Sequence, residues 1–97
     1  MMKVELSEQV ADYVARQAPD GRKILQRALR KLESEQGDIK ALEERLDGFH
    51  RLRVGPYRVI FRYVRPANTT ELRCEFAERR RIIYEAYERM VASRGNP

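Results

Sequence analysis

The residues best suited to chemistry lie in two short segments, 50–63 (HRLRVGPYRVIFRY) and 78–84 (ERRRIIY). In the first, arginines alternate with bulky apolar residues, the pattern breaks at Gly55-Pro56, and the alternation resumes. A strand displays residues of equal parity on one face, so Arg51 and Arg53 fall together, as do Arg58 and Arg62. If the chain reverses at Gly55-Pro56, these arginines converge on one patch the size of a polyanion. Arginine's planar fork binds phosphate oxygens in pairs, so the pattern points to phosphate or RNA. The second segment adds Arg79, Arg80 and Arg81, and a helix there would set Arg80 and Tyr84 on one face at i and i+4.

The elements that must position these residues follow from periodicity. Residues 3–6 alternate as a short edge strand. Ser7 can cap a helix whose apolar stripe is Val10, Tyr13 and Val14. Residues 18–21 (APDG) break it, and a second helix over 22–36 carries Ile24, Leu25, Ala28, Leu29 and Leu32, with Gly37 as a left-handed stop. Residues 38–46 read as a short helical or irregular bridge before the Asp47-Gly48 turn. Strands are expected over 49–54, 57–64 and 71–77, the last with Leu72, Cys74 and Phe76 on one face. From about 79 to 93 the period is helical again, with Ile82, Ile83, Ala86, Tyr87, Met90 and Val91 inward. Two amphipathic helices must lay their stripes on a sheet. The expected fold is α+β: a small, mostly antiparallel sheet, two N-terminal helices on one face and a C-terminal helix near the other. Residues 1–97 make one domain.

Composition narrows the classes. No apolar run approaches the roughly 20 residues that span a bilayer. The start, MMKVELSEQV, has no basic segment followed by an apolar one, so a cytoplasmic protein is expected. A single cysteine, Cys74, fits a reducing compartment and reads as a buried small hydrophobe. One Cys and one His leave no zinc ligand set, so neither metal nor cofactor is expected. Residues 1–44 hold eight Lys or Arg against nine acids, net −1; residues 45–97 hold twelve arginines and no lysine against six acids, net +6. Such a bias favours an anionic partner, either nucleic acid or an acidic protein.

The order strand–helix–helix–three strands–helix, with RLRVGPYRVIF at 51–61 and the later Arg80–Tyr84 pair, resembles the RelE/ParE superfamily of type II toxin–antitoxin toxins. The resemblance implies a RelE-like fold and one of two activities. RelE-like members are ribosome-dependent endoribonucleases that cut mRNA; ParE-like members poison DNA gyrase. Both are neutralised by an acidic antitoxin, and the pair can bind operator DNA through the antitoxin. Carried onto this chain, the nuclease pattern falls on Arg51, Arg53, Arg58, Arg80 and Tyr84, which favours the nuclease branch. The sequence departs from it by having Arg51 and Arg53 where the best-known nuclease has lysines, and Arg79 where a histidine is typical.

Metal-free RNA cleavage proceeds by attack of the ribose 2′-OH on the adjacent phosphate. It needs a proton acceptor, stabilisation of the added negative charge, and a proton for the departing oxygen. The resemblance makes Arg58, Arg80, Tyr84 and Arg53 the catalytic set, with charge stabilisation falling chiefly to Arg58 and Arg80. Arg51, Arg62, Arg79 and Arg81 would then bind RNA phosphates. Arginine, with a pKa above about 12, is a poor base. Two roles are open to Tyr84: a phenolate favoured by the Arg80 charge, or a platform on which a splayed base stacks, the preferred reading because it needs no pKa shift. His50 is the only imidazole and a candidate general base. Its parity with Leu52 and Val54 assigns it to the core side instead, unless an irregular strand start rotates it. Glu78 reads as a partner for a helix N-terminus.

Overall fold

The computed structural model describes residues 1–80, 87–89 and 91–92. Along the chain run β1 (Lys3–Leu6), α1 (Glu8–Arg16), α2 (Pro19–Lys31), β2 (Asp38–Ala41), β3 (His50–Val54), β4 (Tyr57–Val64) and β5 (Glu71–Arg79). The strands form one sheet in the order β1-β5-β4-β3-β2, antiparallel throughout except for the parallel β1–β5 pair. Residues 87–89 and 91–92 are helical. The α+β architecture expected from periodicity is the one observed.

Each face of the sheet carries its own apolar cluster. Val10 and Val14 of α1 and Leu25 and Leu29 of α2 pack on Leu52, Val59, Phe61, Leu72 and Cys74. On the opposite face, Tyr87 and Val91 pack with Leu46, Ile60 and Phe76. Strand β4 is buried on both faces, which explains its near-continuous apolar run.

Helix α1 starts as its cap requires: the Ser7 hydroxyl accepts from the Val10 amide at 3.2 Å. Helix α2 starts at Pro19, three residues earlier than the break at 18–21 suggests, because a proline is already shaped for a first helical turn. Its stop also differs. Glu35 already takes the left-handed conformation (φ 54°), two residues before Gly37, which also has a positive φ (133°), and the Gln36 amide reaches back to the Lys31 carbonyl at 3.2 Å.

Three further differences bear on function. First, part of the expected bridge is a strand: β2 pairs antiparallel with β3, Asp38 opposite Arg53 and Lys40 opposite Arg51. Four residues are too few for a period to declare itself. Second, the alternation in β5 breaks at a bulge, since Ile60 pairs with Phe76 but Phe61 pairs with Cys74. Glu75 is the extra residue, and it sends Phe76 to the face opposite Leu72 and Cys74. Third, β5 runs on to Arg79, because Tyr57 and Arg58 still offer it partners there. Glu78 is therefore on a strand, where its carboxylate accepts from the Arg79 amide at 3.0 Å, and Arg80 lies in a turn, not on a helix.

The bulge is held from its free edge. Beyond the end of β1, the Ser7 amide donates to the Cys74 carbonyl (2.9 Å) and its hydroxyl to the Glu75 carbonyl (2.9 Å). The Gln9 side-chain amide then donates to the Ala77 carbonyl (2.7 Å) and accepts from its amide (2.8 Å), replacing a strand neighbour.

Gly21 sits in α2 directly over Tyr57, and a Cβ there would collide with the phenol oxygen. Gly21→Ala should therefore lower stability by about 1–2 kcal/mol, overpacking outweighing the ~1 kcal/mol helix-propensity gain. Thermal unfolding reads the loss, and adding Tyr57→Phe should recover it. A lack of recovery would contradict the close approach.

Burial pushes the Cys74 thiol up to about 12. Native protein at pH 8 should resist a thiol-reactive disulfide reagent and react fully on denaturation. Because folding raises this pKa, its stabilisation is complete below the ordinary thiol value of 9.0 and disappears as pH rises towards 12. Denaturant midpoints should fall over that window, and Cys74→Ala should flatten part of the fall.

Candidate active site

The two-residue connection Gly55-Pro56 joins Val54 to its partner Tyr57, closing the β3–β4 hairpin. Gly55 has φ 56°, the conformation a tight hairpin asks of its first loop residue, and proline follows comfortably. Because Arg53 pairs with Arg58, and Arg51 with Ile60, the three arginines share the face away from α1 and α2. Lys40 and Asp38 of β2 extend the row.

Two carbonyls of the turn organise the rest. Arg58 is only 7% exposed, and its Nη1 donates to the Gly55 carbonyl at 2.7 Å and the Tyr57 carbonyl at 2.8 Å. These charge-assisted bonds offset the cost of burying the cation and fix its position. The Arg80 backbone amide donates to the Pro56 carbonyl at 3.0 Å, which delivers the end of β5 beside the same turn.

The result is an open groove of about 690 Å³. Its charged lining is Arg51, Arg53, Arg58, Arg80, Lys40, Glu43 and Glu88, and Leu42 and Leu46 supply apolar surface. Among the described residues, five cations line it with two carboxylates. Asp38 stands at the rim, 3.7 Å from Arg51 Nη2 and 3.9 Å from Arg53 Nε. At those distances it orients the arginines while leaving them weakly paired, as a half-exposed ion pair of this kind contributes about 0–1 kcal/mol. The groove can therefore hold a bent polyanion against an arginine wall, with proton-transferring groups beside it. Among the described residues no cluster of His, Cys, Asp or Glu could hold a metal ion, and no helix is long and apolar enough to cross a membrane.

Four residues singled out in the sequence form part of this lining: Arg51, Arg53, Arg58 and Arg80. Three others sit elsewhere. Arg62 is bound to Glu75, Nε to carboxylate, at 2.6 Å. Arg79 lies 5.7 Å over the ring of Tyr57, a helix-side residue. His50 stacks on Phe61 at 5.4 Å and meets Tyr63 edge-on at 5.1 Å, on the face opposite the groove, as its parity implied. Tyr84 and Arg81 lie outside the described residues.

No protein-family model and no curated protein matches the chain. Solved structures do. The chain is similar to the toxin–antitoxin complex RelBE2 from Mycobacterium tuberculosis, with a TM-score of 0.65 and 20% identity over 81% of this chain and 98% of that one. It is similar to the archaeal RelE–RelB complex from Pyrococcus horikoshii OT3 (TM-score 0.62, 22% identity, 82% and 96% covered). A YoeB/ParE toxin from Agrobacterium tumefaciens also matches (0.61, 17%, 80% and 98%). This is the RelE/ParE toxin fold.

On this RelE-type sheet, sequence reasoning missed Lys40, Glu43 and Glu88. Asp38-Ile39-Lys40 does alternate, but a strand that short carries too weak a signal to be read. Glu43 and Glu88 reach the groove from a loop and from the C-terminal helix, so only folding brings them there.

Arg53 and Arg58 should separate by role when each is replaced by alanine. Arg53→Ala, half-exposed, should weaken single-stranded RNA binding and reduce its log–log salt slope by about one, with stability unchanged. Arg58→Ala should also lose about 1.5–3 kcal/mol of stability, because the buried Tyr57 carbonyl and the part-buried Gly55 carbonyl lose a charged donor. Fluorescence anisotropy against salt, with denaturant titration, reads both. Equal stability of the two variants would contradict a structural role for the Arg58 bonds.

Proposed function

We propose that this chain is the toxin of a type II toxin–antitoxin pair, acting as a ribosome-dependent, metal-independent endoribonuclease on mRNA. The observation carrying this reading is the convergence of Arg58 and Arg80 on one hairpin turn, inside a groove that Arg51 and Arg53 complete. Preorganised cations aimed at developing charge are the strongest electrostatic aid to a phosphoryl reaction. Here they would meet the phosphate as the 2′-oxygen attacks it. Arg51 and Arg53 would hold the neighbouring phosphates, with Tyr84 stacking a splayed base. The ribosome would present mRNA in the bent geometry that the attack requires, and positioning of that kind contributes several kcal/mol.

The partner reading rests on the solved relatives, which are toxin–antitoxin complexes by name. An acidic antitoxin suits the net charge of +5 and the arginine-rich half of the chain. Operator DNA would be bound by the complex through the antitoxin. One observation favours a second reading: a matching structure is named a YoeB/ParE toxin. A ParE-like protein would inhibit DNA gyrase without cutting RNA, since one fold can host unrelated activities.

Purified protein added to a cell-free translation reaction, with mRNA 5′ ends mapped by primer extension, tests this. New ends at decoding-site positions are expected, dependent on ribosomes and lost in Arg58→Ala and Arg80→Ala. Intact mRNA from folded protein, with inhibition of gyrase supercoiling, would establish the alternative.

A further inference from the structure

The arginine wall leaves the proton acceptor unassigned, and this inference rests on the nuclease reading above. Guanidinium groups stay protonated, and the chain's single imidazole is on the other face. Of the described side chains lining the groove, Lys40 is a donor when charged, so only Glu43 and Glu88 present acceptor oxygens at neutral pH. The two differ in how they are held. Glu43 is exposed at the edge of a 3-10 turn. Glu88 is half-buried and follows Tyr87, which is fully buried, edge-on to Phe49 at 5.3 Å and tilted against Phe76 at 5.6 Å. A carboxylate carried by an anchored helical turn is held more closely in place than one on an exposed loop.

We propose that Glu88 is the catalytic proton acceptor for the 2′-OH. The 2′-O–H bond breaks and its proton passes to the Glu88 carboxylate. The freed electron pair forms the new 2′-O–P bond as the P–O5′ bond breaks. The departing 5′-oxygen takes a proton from water, and Glu88 returns its own proton to water, leaving a 2′,3′-cyclic phosphate and a 5′-OH. Lys40, Arg51, Arg53, Arg58 and Arg80 line the same groove from β2, β3, β4 and the turn after β5, and Glu43 lines it from the 3-10 turn.

The test is single-turnover cleavage of ribosome-bound mRNA by the full chain at saturating protein. Glu88→Gln should be about a hundredfold slower or worse, with ribosome affinity unchanged, while Glu43→Gln stays within about threefold of wild type. A Glu88→Gln rate within threefold of wild type overturns the assignment while leaving the nuclease reading standing. A Glu43→Gln variant slowed about a hundredfold also overturns it, whether or not Glu88→Gln folds. A folded wild type that cuts nothing overturns the nuclease reading, and Glu88's role with it.

Discussion

Two neighbouring carbonyl oxygens of the β3–β4 turn decide where the functional cations go. Gly55 accepts from the Arg58 guanidinium and Pro56 from the Arg80 backbone amide. Both carbonyls point where they do because the loop has only two residues, one free to adopt positive φ and one locked at negative φ. The turn thus joins Arg58 of β4 to Arg80 just past β5, and charge burial at Arg58 becomes tolerable because donors meet acceptors without help from solvent. A longer or looser loop would cost Arg58 its bond to Gly55 and Arg80 its bond to Pro56.

The same economy appears at the other edge of the sheet. Strand β1 stops opposite Cys74, and Ser7 and Gln9 then satisfy β5 with side-chain groups. This gives partners to the Cys74, Glu75 and Ala77 carbonyls and the Ala77 amide around the bulge at Glu75. The bulge has a functional consequence. It turns Phe76 to the groove side, where it joins Ile60 and Leu46 in the surface on which Tyr87 rests. The C-terminal helix, and Glu88 with it, is anchored by that apolar contact. Charged chemistry on one face of the sheet therefore depends on a hydrophobic cluster next to it.

Among the described residues, the groove combines a wall of fixed positive charge with very few groups able to move a proton. Arginines stabilise charge and position phosphates, and only a carboxylate or an ammonium beside them can exchange protons at ordinary pH. Asp38 tunes the rim by holding two arginines loosely. The single histidine, a candidate base by residue type but a core-side residue by parity, is stacked on Phe61 in the helix-side core.

Local pattern alone determined a good deal: the amphipathic stripes of α1 and α2, the strands around Gly55-Pro56, the common face of Arg51, Arg53 and Arg58, and the inward parity of His50. Each depends on a period of 3.6 or 2, which is written in adjacent residues. The tertiary structure decided the rest. It made residues 38–41 an edge strand, since pairing with β3 can order a segment too short to show a period. It shifted β5 by one residue, since Ser7 and Gln9, nearly seventy positions away, bond to it. It placed Arg80 in a turn held by Pro56, and it gathered Lys40, Glu43 and Glu88 from three separate elements. Hydrogen bonds between distant segments leave no periodic trace, so the sequence specifies the arginine face while only the fold assembles the groove.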